Sequence, residues 1–180
     1  MQPLYGLGRP MRVAVLFSGG ASAALSMLQD PNHGKLYTLA GAATHNLAAS
    51  GISRLNPHMD VLVYPSEKEY YERNGLDPRK QSSKYRYWDH VTNLLEAFEP
   101  DALALSGLFQ IVRYPVISET DNTGRKRDGQ YADRTLNVHP ADLSIVSNGE
   151  STEETSTIGS VNKSRQRPWI SLVAISLSIV

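Results

Sequence analysis

At 180 residues, with 41% of positions hydrophobic and 20% charged, the chain is long enough for one domain with a sizeable core. Lysine plus arginine and aspartate plus glutamate each number 18, so the overall charge draws it neither to nucleic acid nor to an anionic membrane. Cysteine is absent, which excludes disulfides, thiolate catalysis and Cys-based zinc sites, and His33, His45, His58, His90 and His139 show no H-x-x-x-H spacing for a metal. The expectation is a soluble, cytoplasmic protein without metal.

Met1 to Pro10 lacks the apolar core of a signal peptide and reads as an N-terminal extension, with Met11 as an alternative start. Val13–Ala14–Val15–Leu16–Phe17 is a continuous apolar run, the pattern of a strand buried on both faces of a parallel sheet. Ser18–Gly19–Gly20–Ala21–Ser22 follows, and Ala23 to Leu28 is predicted as a helix, which together open a βαβ unit. Glycines let a backbone approach an anion and a helix N-terminus offers unpaired N–H groups, so the turn suits a phosphate or carboxylate; the plainer alternative is a tight connection.

Leu36 to Ala43 is a second predicted strand, with a short helical piece at Asn46 to Ala49, and Val61–Leu62–Val63–Tyr64 is a third, closed by Pro65. Ser66 stands three residues before Glu69, a capping box that opens a helix running to about Arg73, with Lys68 in its first turn. Asp77 to Arg86 is polar and basic and is expected to be a surface loop. Tyr87 to Glu99 carries Val91, Leu94, Leu95 and Phe98 at helical spacing before Pro100. Tyr85, Tyr87 and Trp88 beside Lys84 and Arg86 read as an anchor between loop and helix rather than a stacking platform. Ala102 to Leu105 is a fourth strand, then come Ser106–Gly107 and an apolar segment, Leu108 to Val112. Ser118 to Arg134, with charges of both signs, is expected to be a solvated insertion.

Thr135 to Val138 is the strand on which the reading turns, because Leu136–Asn137–Val138–His139–Pro140 ends in an amide, an imidazole and a proline. Alternation puts Asn137 and His139 on one side, and Pro140 stops the strand. A neutral donor and a titratable ring then stand at a strand's carboxyl end, the edge where open α/β sheets bind ligands. The plainer alternative is a strand exit whose polar residues cap a loop. Beyond Leu143 the pattern breaks. Ser147 to Gln166 is rich in Ser, Thr and Glu without a period, and Trp169 to Val180 is apolar but far shorter than the roughly 20 residues of a membrane helix. The expected organisation is an extension at 1–10, a Rossmann-like α/β domain at 11–145 with a mostly parallel open sheet and helices on both faces, and an atypical tail at 146–180 that leaves the C-terminal half incomplete.

Three pieces in this order, MRVAVLFSGGAS, PDALALSGLFQIV and TLNVHPADL, make the stretch from Met11 to Leu143 resemble the phosphoribosylglycinamide formyltransferases. That resemblance implies transfer of a formyl group from 10-formyltetrahydrofolate to glycinamide ribonucleotide in purine synthesis, by a monomer or weak homodimer with small-molecule partners only. It makes Asn137 and His139 the catalytic pair, sets the substrate phosphate on Gly19, Gly20, Ala21, Ser22 and Ala23, and lines the folate pocket with Lys68, Phe109, Gln110, Ile111, Val112 and Asn137. The family's loop usually reads Gly-x-Gly-Ser-Asn, so Ala21 and Ala23 depart from it, and Ala23 removes a polar contact. Phe109 to Val112 stand where Met-Arg-Ile-Leu is common, and Lys68 replaces an arginine, keeping charge but losing the fork.

The chemistry suits these residue types. Attack of an amine on a formyl carbon makes a tetrahedral oxyanion, and one amide donor to such an oxygen is worth about 3 kcal/mol of barrier. A histidine of near-neutral pKa donates to the oxyanion or carries the proton from amine to leaving nitrogen. The largest departure is downstream: the resemblance implies a third catalytic residue, an aspartate that orients the histidine, yet no aspartate follows Asp142, and Glu150, Glu153 and Glu154 match no motif. The reading from about Val146 is therefore expected to be foreign to the fold, as a frameshift, altered splice or misplaced gene end would make it. Three other classes stay open. One is an ATP pyrophosphatase-like enzyme with an S-G-G-x-D-S loop, although Ser22 and Ala23 stand where that loop has its aspartate and last serine. Another is an inactive truncated formyltransferase that binds phosphate weakly, and the last a related transferase acting on a sugar amine or, without a basic C-terminal domain to favour it, on tRNA.

Overall fold

A computed structural model of the protein describes residues 8–120 and 124–138. The central strand is β1 (Met11–Phe17), and every residue from Val13 to Phe17 is at most 1% exposed, as a run apolar on both faces requires. It pairs in parallel with β2 (Tyr37–Thr44) on one side and β4 (Ala102–Ser106) on the other. The sheet is completed in parallel by β3 (Val61–Val63) beyond β2 and β7 (Thr135–Val138) beyond β4, in the order β3-β2-β1-β4-β7. The chain leaves β1 toward β2 and returns to β4 on the opposite flank. A crevice therefore opens between the carboxyl ends of β1 and β4.

The two sheet faces carry separate cores. Ala14, Leu16 and Leu103 pack with Tyr71 of α3 (Glu67–Asn74) and with Tyr87, Trp88, Val91 and Leu95 of α4 (Gln81–Leu95). Val13, Val15, Phe17 and Ala104 pack with Ala24 of α1 (Ser22–Gln29) and Leu55 of α2 (Gly51–Leu55). Register slips between Val13 and Ala14, where β1 is paired to Leu39 and then Gly41. A side chain at Gly41 would lie 2.2 Å from the Phe98 ring, so only glycine lets that ring sit on the strand. At the opposite end of the sheet, Asp101 accepts from the Arg12 N–H at 2.8 Å and from both terminal nitrogens of Arg9, tying the entry of β4 to that of β1. The Arg9 guanidinium holds the Asp101 carboxyl below its usual range, with the Arg12 amide adding and burial opposing.

The Rossmann-like α/β reading holds for the described residues, with four corrections. The α4 helix starts at Gln81, so Lys84, Tyr85 and Arg86 are helical rather than in a loop; Ser83 lies one turn before Tyr87 and is buried, a contact that hydropathy does not reveal. Asn46 to Ala49 is a turn, because the Asn46 side chain accepts from the Ala48 N–H at 3.0 Å and its carbonyl from Ala49, and the helix begins only at Gly51. Leu36 lies outside β2 and is 63% exposed. The insertion after Ser118 contains an antiparallel pair, β5 (Glu119–Thr120) with β6 (Lys126–Arg127), and Tyr131 of the same stretch is buried in the α4 core. His139, Pro140 and the tail at 146–180, with Glu150, Glu153 and Glu154, lie outside the described residues.

Candidate active site

The loop after β1 is pinned by its carbonyls. The Ser18 carbonyl accepts from Asn46 Nδ2 at 2.9 Å, that of Gly19 from the Gly51 N–H at 3.0 Å, and that of Gly20 from Arg54 Nη1 at 2.9 Å. Its far end is the N-terminus of α1, where the first intrahelical bond runs from the Leu25 N–H to the Ala21 carbonyl. The amides of Ser22, Ala23 and Ala24 precede that bond and have no partner within the helix. Ala21 occupies the N-cap, where it offers no side-chain oxygen. Ser22 is exposed and Ala23 half-buried.

The conformational freedom expected of the glycines falls elsewhere. Ala21, not Gly19 or Gly20, is left-handed, with φ 51. Gly20 serves by being small: a side chain there would lie 3.3 Å from Arg54 Nη1. Gly51 is the tighter contact, since a side chain there would stand 2.6 Å from the Phe17 ring and 2.8 Å from the Gly19 carbonyl. Asn46, Gly51 and Arg54 were not singled out in the sequence, and only the rule that ligands gather at the carboxyl ends of strands pointed toward them.

Across the crevice, β4 ends at Ser106 and the chain turns at Gly107, φ 62. From there the residues alternate out and in. Phe109 and Ile111 are 88% and 71% exposed, while Val112 is buried and Gln110 points inward. The Phe109 N–H donates to Ser18 Oγ at 3.0 Å, so this segment is fastened directly to the glycine loop. The Tyr64 hydroxyl donates to Gln110 Oε1 at 3.0 Å, Gln110 Nε2 to the Tyr87 oxygen at 2.8 Å, and the Tyr87 hydroxyl to the Pro65 carbonyl at 3.2 Å. Burial raises the pKa of both tyrosines well above the ordinary phenol value, so they remain neutral donors.

Asn137 is exposed, on β7, and in register with Leu105 as Leu105 is with Leu16. It therefore stands level with the end of β1, two strand spacings or about 10 Å away. Lys68 extends into solvent from the first turn of α3, its ammonium 4.0 Å from Glu72. The helix beneath it is capped as read, with Ser66 and Glu69 forming a reciprocal box and Gly75 closing the last turn. His45, beyond β2, was unassigned; its Nδ1 is buried without a hydrogen-bond partner among the described residues, and its ring lies 6.1 Å from Tyr64. Burial lowers its pKa, opposed by Glu67. Burial, with Glu67 adding, likewise leaves the Tyr71 hydroxyl pushed up to about 12, and that hydroxyl donates to Glu67 at 3.2 Å. No helix among the described residues is long and apolar enough to cross a membrane.

No family model matches the chain, and no curated protein does. Solved structures do. Glycinamide ribonucleotide transformylase 1 from Symbiobacterium toebii is 22% identical over 77% of this chain and 56% of its own, with a TM-score of 0.54. Glycinamide ribonucleotide transformylase 1 from Geobacillus kaustophilus is 16% identical over 80% of this chain and 64% of its own, at 0.53. Phosphoribosylglycinamide formyltransferase from Brucella melitensis is 18% identical over 77% and 62%, at 0.50. The fold is that of the formyltransferases, and the chain spans between 56% and 64% of the length of these three structures.

Proposed function

We propose that the chain is a one-carbon transferase that moves a formyl group from 10-formyltetrahydrofolate to the amine of glycinamide ribonucleotide. The observation that carries this reading is the shared sheet edge. Asn137, near the carboxyl end of β7, stands level with the end of β1 that leads into the glycine loop, and the exposed Phe109 and Ile111 follow β4, the strand between them, in a fold shared with solved transformylases. In this reading the amides of Ser22 and Ala23, with Gly19, Gly20 and Ala21, receive the substrate phosphate, using the positive end of α1. Phe109 and Ile111 give an apolar surface to the flat rings of the folate, Gln110 and Val112 anchor that segment from its inward side, and Lys68 adds positive charge from α3. Asn137 donates to the oxyanion as the amine attacks the formyl carbon, and His139 moves the proton to the leaving nitrogen. The proposal extends to a cytoplasmic monomer or weak homodimer with a domain spanning 11–145.

A second reading, binding without turnover, is favoured by one observation: residues 143–180 contain no aspartate to orient the histidine. One assay separates the two. With 10-formyltetrahydrofolate and glycinamide ribonucleotide, the transferase reading expects turnover that falls about 100- to 1000-fold in Asn137→Ala and is abolished in His139→Ala. Saturable binding of both compounds with no turnover in the unaltered chain establishes the second reading. No binding of either removes both.

A further inference from the structure

Gln110 stands in the segment assigned to the folate pocket, yet its carboxamide is spent inside the protein. Its oxygen accepts a hydrogen bond from the Tyr64 hydroxyl and its nitrogen donates to Tyr87, side chains only 2% and 0% exposed. Tyr87 in turn donates to the carbonyl of Pro65, the residue next to Tyr64. The three bonds thus run in one direction around a closed circuit that starts and ends on neighbouring residues, an arrangement in which each bond strengthens the next. Gly107 to Val112 forms neither helix nor strand, so side-chain bonds of this kind take the place of a backbone ladder there. With Gln110 drawn inward and Phe109 fixed through its N–H to Ser18, extended alternation turns the Phe109 and Ile111 side chains outward.

We infer that Gln110 is a positioning residue: the Tyr64–Gln110–Tyr87 circuit holds the 109–112 segment in the one conformation that presents Phe109 and Ile111 as an apolar platform for the flat heterocycle of the formyl donor. This rests on the proposed transferase reading. The residue touches no reacting atom and acts through its neighbours, and its side of the crevice is the donor's rather than the phosphate's.

The test compares the full chain with Tyr87→Phe, Gln110→Leu and the double variant, by calorimetric titration with 10-formyltetrahydrofolate and, separately, glycinamide ribonucleotide. Each single change is expected to weaken formylfolate binding about tenfold with glycinamide ribonucleotide unchanged. The double variant is expected to lose no more than either single one, since both break the same circuit. Amide exchange over 108–112 in the unliganded protein is expected to quicken in all three. Equal formylfolate affinity in all forms, or parallel loss of both ligands, overturns the inference. If the unaltered chain binds no formylfolate, the transferase reading fails, and exchange over 108–112 still reports independently on the circuit: unchanged exchange overturns that as well.

Discussion

Ala21 holds a backbone geometry, φ 51, that costs a residue with a Cβ about 1–2 kcal/mol relative to glycine. The formyltransferase pattern has glycine there, so the departure looks expensive. It is offset, because the Ala21 methyl is 3% exposed in the core beside Phe17 and Ala24, where burying it is worth about 0.8 kcal/mol, and glycine would add about 0.5–1 kcal/mol of backbone entropy to lose. We expect Ala21→Gly to leave unfolding free energy within about 0.5 kcal/mol of the parent in urea titration. His45 behaves differently. Its pKa is lowered in the fold by burial, so the unfolded chain binds the proton more readily and stability rises with pH across the interval below 6.5. Its contribution is complete above that value and is lost as pH falls through it. Thermal melts between about pH 7 and about pH 5 are expected to show that decline, and His45→Gln to flatten it. The strand that carries Asn137 was legible from the apolar run that a histidine and a proline close. His45 was not, because its environment is made by Tyr64 just beyond β3 and by Glu67 from a helix, and no local pattern encodes either.

Elements with punctuation of their own were readable. Ser66 with Glu69 announced α3, and the unbroken run from Val13 to Phe17 announced β1. The start of α4 escaped because its first turns present Gln81, Ser82, Lys84 and Arg86, whose polarity hides the buried Ser83. The position of α2 escaped because an asparagine turn mimics a helix start one turn early. That displacement matters to the site, since Gly51, the first residue of α2, donates to the Gly19 carbonyl. Gly51→Ala would drive a methyl against the Phe17 ring and that carbonyl, both within 3 Å. We expect a loss of about 1–3 kcal/mol of stability and, in the population that still folds, weaker inorganic phosphate binding by isothermal titration with no change at the Phe109 segment.

For the molecule as a whole, the strand pattern implied a parallel α/β sheet, and the observed order β3-β2-β1-β4-β7 supplies the switch point that such a sheet uses for ligands. The pairing order itself was not written in any local stretch; it follows from the flank to which each crossover returns. The site is built the same way. Ser18 touches Asn46 and Phe109, contacts that a reading along the chain does not anticipate.

One feature of this architecture governs how the chain comes to be folded. The central strand, β1, is also the first of the sheet's strands in chain order, and one of its two partners, β4, begins only at Ala102. During translation a greasy ribbon must therefore wait, one edge unsatisfied, while some ninety residues emerge (from Met11 to Ala102). Nascent chains released before Ala102 are expected to be degraded rapidly in pulse-proteolysis and to associate with holdase chaperones, whereas chains carried past Val138 resist the protease. The late arrival of β4, more than any single contact, sets when this protein first becomes safe from aggregation.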